Sequence, residues 1–399
     1  MNPPLYSVSE TGEGDREAVE GATLKRSAGF PPPPPSFGWS PSPAKGRGRI
    51  GERMIKYIGS KRALLGHVTG AVRAALPDGG TVCDLFSGSA RVGHALKGQG
   101  FRVWSNDHNA YAHTLATAYV QADRERWAAQ AEVVLTELRT VAPEAGWFTK
   151  AFCEDARFFH PDNGARIDAM RTRIEAMGLE PELKAVVLVA LMEAADRVDS
   201  TAGLQMAYMK QWAPRALKPL ELRLPDLLLG VAAGPCKATR GDAVEIADQV
   251  EADLVYLDPP YNQHSYLANY HCWESLVLWD KPETYGVANK RVDVKTRKSP
   301  FNSRPGIGPA LQSVVERVKT PNLIVSFNDE GYLSRDDLTA MLSARGHVQV
   351  VEIPRPRYVG ARIGIHNRKG EKVGAVGRLR NVEHLFVVTQ EPLSLPVAA

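Results

Sequence analysis

The sequence predicts an α/β fold built on a parallel sheet and interrupted by a mostly helical insertion, on three observations. An apolar strand, a glycine-bearing turn, a helix and a second strand follow one another over 81–104, the spacing of a βαβ unit. Short apolar strand patterns then resume at 237–240, 253–257, 322–326, 347–353 and 384–388. Between these two groups, residues 110–235 carry long helical segments at 124–141, 166–177 and 181–198, with few strand signals.

The chain has 399 residues, of which 44% are hydrophobic and 24% charged, so it is not wholly disordered and can bury a sizeable core. Residues 1–50 stand apart. They hold nine of the 28 prolines, including the run Pro31 to Pro35, and show no hydrophobic period of 2 or 3.6. Such a stretch cannot bury enough apolar surface to offset its ordering entropy, and a disordered Pro-rich tail over 1–53 is expected. Met54, directly before the first structured motif, is a candidate alternative start.

The remainder divides into a first core part over 54–120, the helical insertion over 121–235 and a second core part over 236–399. The longest apolar run, 185–192, is far too short to span a bilayer, so no membrane partner is expected. Cys83, Cys153, Cys236 and Cys272 are scattered and suggest neither a disulfide framework nor a zinc site. With no apolar signal core at the start, a reducing cytoplasm is the expected compartment.

Three motifs carry chemistry. The first is VCDLFSGSARVG over 82–93, where a strand ends in Asp84, turns through Phe86 and Gly88, and enters a helix near Gly93. Small residues in such a turn let backbone approach a ligand at the carboxyl end of the sheet. Asp107 closes the next strand, where an acidic side chain can accept hydrogen bonds from ribose hydroxyls. The lysine and hydroxyl of a phosphate-binding P-loop are missing, and Ala90 replaces the second glycine of a dinucleotide fingerprint. A structural glycine turn explains this motif alone about as well.

The second is LVYLDPPYNQHSY over 254–266, an apolar strand running straight into Asp258-Pro259-Pro260-Tyr261. The prolines fix φ and remove two N–H donors, so a carboxylate and a neighbouring carbonyl form paired acceptors at one point. That pair suits an exocyclic amine, and Tyr261 offers a flat face for stacking. A plain Asp-Pro turn is the bland reading. The third is KYIGSK over 56–61, in which Ser60 is a helix-cap candidate and Tyr57 and Lys61 flank Gly59 at a possible ligand edge.

Taken in order, Tyr57-Ile58-Gly59-Ser60-Lys61, Asp84-Leu85-Phe86-Ser87-Gly88-Ser89, Asn106-Asp107 and Asp258-Pro259-Pro260-Tyr261 resemble the D12 class of DNA adenine-N6 methyltransferases, the Dam-like alpha group. Ile324-Val325-Ser326-Phe327-Asn328 looks like the family's later strand motif, and Arg357-Tyr358-Val359-Gly360 like its DNA-proximal loop. The likeness spans about 54–390. Ala90 departs from it where a glycine is common, and cofactor binding is expected to survive.

The resemblance implies a Rossmann-like S-adenosylmethionine-dependent methyltransferase fold, with the insertion as target-recognition domain. It implies S-adenosyl-L-methionine held by Tyr57, Gly59, Lys61, Asp84, Phe86, Gly88 and Asp107, with Asp242 on the adenine, although Gly-Asp is also an ordinary turn. Asp258 and the Pro259 carbonyl would take both amino protons of adenine N6, favouring a tetrahedral nitrogen that can attack the methyl, with Pro260 shaping the turn and Tyr261 against the flipped base. No metal is called for.

The charge pattern agrees. Net charge is only +4, yet residues 290–319 hold eight basic against two acidic residues, and 354–381 eight against one. Lys295, Arg297, Lys298, Arg355, Arg357 and Arg362 are the candidate phosphate partners on double-stranded DNA, although solvated charge runs are common. Tyr266, Tyr270 and Trp273 follow the second motif at helical spacing and read as core. The leading expectation is a monomeric, site-specific DNA adenine-N6 methyltransferase, with a cognate restriction endonuclease as a further partner. An RNA adenine or protein amide methyltransferase, and an inactive nucleic-acid-binding protein on the same fold, remain alternatives. The broken fingerprint disfavours a nicotinamide-dependent dehydrogenase.

Overall fold

A computed structural model describes residues 54–59, 61–201, 203–356 and 380–393. Seven strands form its sheet: β1 (Thr81–Asp84), β2 (Arg102–Asp107), β3 (Lys237–Arg240), β4 (Leu254–Leu257), β5 (Asn322–Asn328), β6 (His347–Pro356) and β7 (Arg380–Thr389). Their spatial order is β3-β2-β1-β4-β5-β7-β6. The first five are parallel, and β7 pairs antiparallel with both β5 and β6. The order reverses at β1, so the chain leaves β1 and β4 in opposite directions at the carboxyl edge, which opens a crevice there.

The sheet is covered on both faces, so its central strands read as unbroken apolar runs. Alternate residues go to opposite sides. Val82, Leu254 and Ile324 join one core, whereas Cys83, Leu85, Val255 and Val325 join the other. The second core is closed by α7 (Arg304–Arg317), through Ile307, Leu311 and Val314, and by α8 (Arg335–Ser343), through Leu338 and Leu342. The first is closed by α1 (Leu65–Ala75), whose Val68, Ala71 and Val72 recur at helical spacing, and by α2 (Arg91–Gly98).

The same first core runs on without a break into the insertion. It takes in α3 (Ala110–Ala116), α4 (Arg124–Thr140), α5 (Pro161–Ala176) and α6 (Pro181–Arg197), with Leu135, Ile174 and Val189 fully buried beside sheet residues. Residues 121–235 are therefore packed as a layer of the main body. The helix expected over 166–177 begins earlier, at Pro161. A proline at a first helical position loses no hydrogen bond, and His160 caps the Asp162 N–H. No helix among the described residues is long and apolar enough to cross a membrane.

Candidate active site

The carboxyl edge of β1, β2, β3 and β4 surrounds a cleft with about 960 Å³ of empty space, the solvent at its mouth included. Its floor is the turn after β1. Gly88 has φ +49°, a conformation that costs a side-chain-bearing residue about 1–2 kcal/mol. Its N–H donates to Asp107 Oδ2 at 2.9 Å, and Asp107 Oδ1 accepts the Asn109 N–H at 2.9 Å. A Cβ on Gly88 would stand 3.2 Å from the Tyr57 ring, so turn, strand end and ring are set against one another. Ala90, at φ +59°, carries the helix start in the same left-handed region. Asn106 ties the strand ends together, donating to the carbonyls of Leu85 and Gly241 and accepting the Thr239 hydroxyl.

One wall is aromatic. Tyr57 stacks on Tyr266 at 5.3 Å and on Tyr270 at 4.7 Å between ring centroids, and its hydroxyl lies 3.1 Å from that of Tyr111. Gly59 at φ +69° brings the backbone so close that a Cβ would lie 2.7 Å from the Tyr266 hydroxyl. Across the cleft, Phe86 meets Phe301 edge-on at 5.1 Å.

The cleft is acidic. Asp84 is buried, and neither of its oxygens closes a hydrogen bond among the described residues. Burial, with the charges of Asp258 and Asp107 added, raises its carboxyl to about 8, and the nearby Gly93 N–H offsets this only in part. Asp107 is also raised by burial, in part offset by its two backbone donors. Asp242 caps the short helix Ala243–Ile246 through the Val244 N–H at 2.9 Å and faces the same cleft.

At the far end, Lys61 Nζ lies 2.9 Å from Asp258 Oδ1 and 2.7 Å from Glu383 Oε1. Burial alone would depress the lysine, but the two carboxylates reverse this and hold it charged. Burial raises Asp258 to about 6 against the pull of Lys61, while Glu383 adds a like charge.

These motifs, in this order and around one cleft, are matched by the family model described as D12 class N6 adenine-specific DNA methyltransferase, over residues 57–341. The chain belongs to that family. Among similar proteins, it is 29% identical over 330 residues to "Type II methyltransferase M.FokI" of Planomicrobium okeanokoites, covering 76% of this chain and 49% of that one. It is 27% identical to "Type II methyltransferase M.NlaIII" of Neisseria lactamica, covering 79% and 96%, and 27% identical to "Modification methylase StsI" of Streptococcus sanguinis, covering 85% and 52%. The chain thus spans about half the length of two of these relatives and nearly all of the third.

All eight residues expected around a D12 cofactor, namely Tyr57, Gly59, Lys61, Asp84, Phe86, Gly88, Asp107 and Asp242, line this one cleft, together with Asp258 and Pro260. Lys61 differs from expectation in its partners: its ammonium is spent on Asp258 and Glu383. Pro259 is buried behind the turn, and Tyr261 is half-buried outside the lining, 5.7 Å from the Phe327 ring, with its carbonyl taking the Tyr332 N–H.

The basic candidates separate. Lys295 and Lys298 are exposed, the former 4.1 Å above the Tyr285 ring, and Arg355 is half-buried on β6. Arg297 corrects the expectation. It faces the cleft and sits 2.9 Å from the fully buried Glu274 and 3.2 Å from Asp293, so internal carboxylates already neutralise its charge. Arg357 and Arg362, with the motif Arg357-Tyr358-Val359-Gly360, lie outside the described residues, as does Ser60.

Sequence reasoning missed Glu383, Phe301 and Glu274, and read Tyr266 as core although it lines the cleft. A lone glutamate in the apolar run of β7 was the one available signal for Glu383.

Proposed function

We propose that this chain transfers a methyl group from S-adenosyl-L-methionine to the N6 amine of adenine in double-stranded DNA. The observation that carries the reading is Asp258, held at the rim of the glycine-turn cleft with one oxygen on Lys61 and the other available. The cleft suits the cofactor chemically. A buried, unpartnered Asp84 fits a ligand ammonium, Asp107 and Asp242 offer acceptors to a nucleoside, and Gly88 and Gly59 admit it closely. When bound, the cofactor supplies an electrophilic methyl on a sulfonium.

The residues of the chain then do the rest. The adenine amine is a poor nucleophile because its lone pair is delocalised into the ring. Asp258 Oδ2 and the Pro259 carbonyl accept hydrogen bonds from the two amino N–H groups, which localises that pair on nitrogen, and the one proton that the methylated amine gives up passes to Asp258 and on to solvent. Lys61 holds Asp258 in place without taking both of its oxygens. The base reaches the cleft only by leaving the stack, and Tyr261 beside the Asp-Pro-Pro turn offers it a face. Exposed Lys295 and Lys298, with Arg355 at the sheet edge, supply phosphate contacts, and the helical insertion reads the target. Relatives named as type II and modification methylases favour a cognate restriction endonuclease as partner, and the protein is proposed to act as a monomer.

Transfer of labelled methyl to unmethylated duplex DNA, with RNA and protein as parallel substrates, tests this. Label in DNA, lost about 10³-fold in Asp258→Ala while cofactor binding persists, is the expected result. Label only in RNA or protein would overturn the substrate assignment.

A further inference from the structure

The ammonium of Lys61 is shared, and the second carboxylate belongs to no motif of the active site. Glu383 sits on β7, 322 positions along the chain from Lys61, and is nearly fully buried. Its surroundings fix it. β7 pairs antiparallel with β5, placing Glu383 opposite Asn328. Asn328 Nδ2 donates to Oε2 at 3.1 Å, and the Ser326 hydroxyl donates to Oε1 at 2.8 Å, beside the lysine. Burial would raise this carboxyl, but Lys61, Ser326 and Asn328 together hold it below the ordinary glutamate range, so it is ionised wherever the enzyme works.

Resting on the methyl-transfer reading above, we propose that Glu383 is a positioning residue for Asp258, acting through Lys61. A buried lysine beside Asp258 alone would place its whole charge on that carboxylate, weakening it as an acceptor of amine protons. Glu383 divides the charge and anchors the ammonium from the other side, so Asp258 keeps one oxygen and its acceptor strength for substrate. Ser326 and Asn328 thereby gain a role: they hold the glutamate that holds the lysine. Neither Glu383 nor its two donors lines the cleft.

Among the described residues the charges facing Asp258 can be named, which makes the pH dependence specific. Lys61 is the cation. Glu383 and Asp84 are the carboxylates, while Tyr256, Tyr261 and Tyr266, all neutral, complete the surround. Glu383→Gln removes a like charge and leaves Lys61 wholly on Asp258. The acid limb of the kcat/KM–pH profile, which reports the ligand-free enzyme and is expected near pH 6 in the parent, should move to lower pH. The plateau kcat should fall about tenfold, a loss of roughly 1.4 kcal/mol of transition-state stabilisation. Cofactor and DNA affinities should stay within about threefold of the parent, a spread of under 1 kcal/mol.

Glu383→Asp keeps the charge at a shorter reach and should fall between the two, in both limb and plateau. If E383Q does not fold, the comparison is read from E383D against the parent. Unchanged kcat and an unmoved limb in a folded variant would overturn the proposal. So would a reduced kcat with the limb in place, since a merely structural glutamate would behave that way.

A second arm needs no turnover. The stability difference between D258N and the parent, followed against pH with and without E383Q, reports the ionisation of Asp258 directly. If the parent transfers no methyl to DNA, the functional reading fails, while this arm still decides whether Glu383 sets the ionisation of Asp258. An unchanged pH dependence there would overturn the coupling.

Discussion

Asp84→Asn should remove a steep pH dependence from the stability of the ligand-free protein. Asp84 is buried under the glycine turn with only the Gly93 N–H to offset its desolvation, and burial pushes its carboxyl from 3.8 to about 8. A carboxyl raised in the folded state stabilises that state fully below its unfolded value. The benefit is then lost as pH rises through the folded value. The window is therefore pH 3.8 to about 8. Within it, the fold loses about 1.4 kcal/mol per pH unit from this one group, or roughly 3 kcal/mol between pH 5 and pH 7.

The assay is urea denaturation of parent and D84N at pH 5, 6, 7 and 8. Every other titrating group contributes equally to both chains and cancels in the difference, apart from the coupling of Asp84 to Asp258 and Asp107. The gain in stability from D84N should therefore grow with pH and level off above about 8. A second reading of the same group is calorimetric. If Asp84 ionises to meet a ligand ammonium, cofactor binding near pH 7 releases about one proton, visible as a dependence of the apparent enthalpy on buffer ionisation heat. Parallel stability curves for D84N and parent over pH 5–8 would show that the carboxyl is not raised, and would refute the reasoning.

Two further substitutions probe the turn itself. Ala90→Gly relieves a left-handed alanine worth about 1–2 kcal/mol, but loses a buried methyl worth about 0.8 kcal/mol and loosens the unfolded chain by about as much. Stability should move by less than about 1 kcal/mol and cofactor affinity should be retained, as urea titration and calorimetry would show. Gly93→Ala places a Cβ 2.5 Å from Ser105 Oγ and 2.9 Å from Val120 Cγ2, where helix and strand meet. Overpacking of that kind costs about 1–3 kcal/mol and outweighs the helix-propensity gain, so the urea midpoint should fall.

What could be read from the sequence was what is local. The central strands of the sheet are continuous apolar runs because helices cover both faces, and a run of that kind is visible without knowing its neighbours. The Asp-Pro-Pro-Tyr turn and the Gly88 turn are equally local, since backbone conformation is dictated by the residues that adopt it. Glu383 was hidden because its meaning comes from Lys61, at the other end of the chain, and from the β5–β7 register that sets Asn328 opposite it. Tyr266 was hidden for another reason. Tyr266, Tyr270 and Trp273 share helical spacing, and spacing alone cannot say that Tyr270 and Trp273 go to the core while Tyr266 turns to the cleft beside Tyr57.

Charge counting failed in an instructive way at Arg297. Summed along the chain, residues 290–319 are strongly basic and point to phosphates. In the fold, Arg297 turns inward to Glu274, which also takes the N–H groups of Ala110 and Tyr111 at the start of α3. A fully buried carboxylate needs such a cation, because leaving it unpaired would cost several kcal/mol. Arg297 therefore pins the segment carrying Ser299, Phe301 and Asn302 against the cleft, and its neighbours Lys295 and Lys298 are left to face solvent. The same short basic run thus does two opposite things. It closes a cleft lined by the carboxyls of Asp84, Asp107 and Asp242, of which Asp84 ionises to meet a ligand cation, and it presents positive charge outside. A cationic methyl donor suits the first surface and a polyanion the second, so the two substrates of the proposed reaction are sorted by the sign of the surface each one meets.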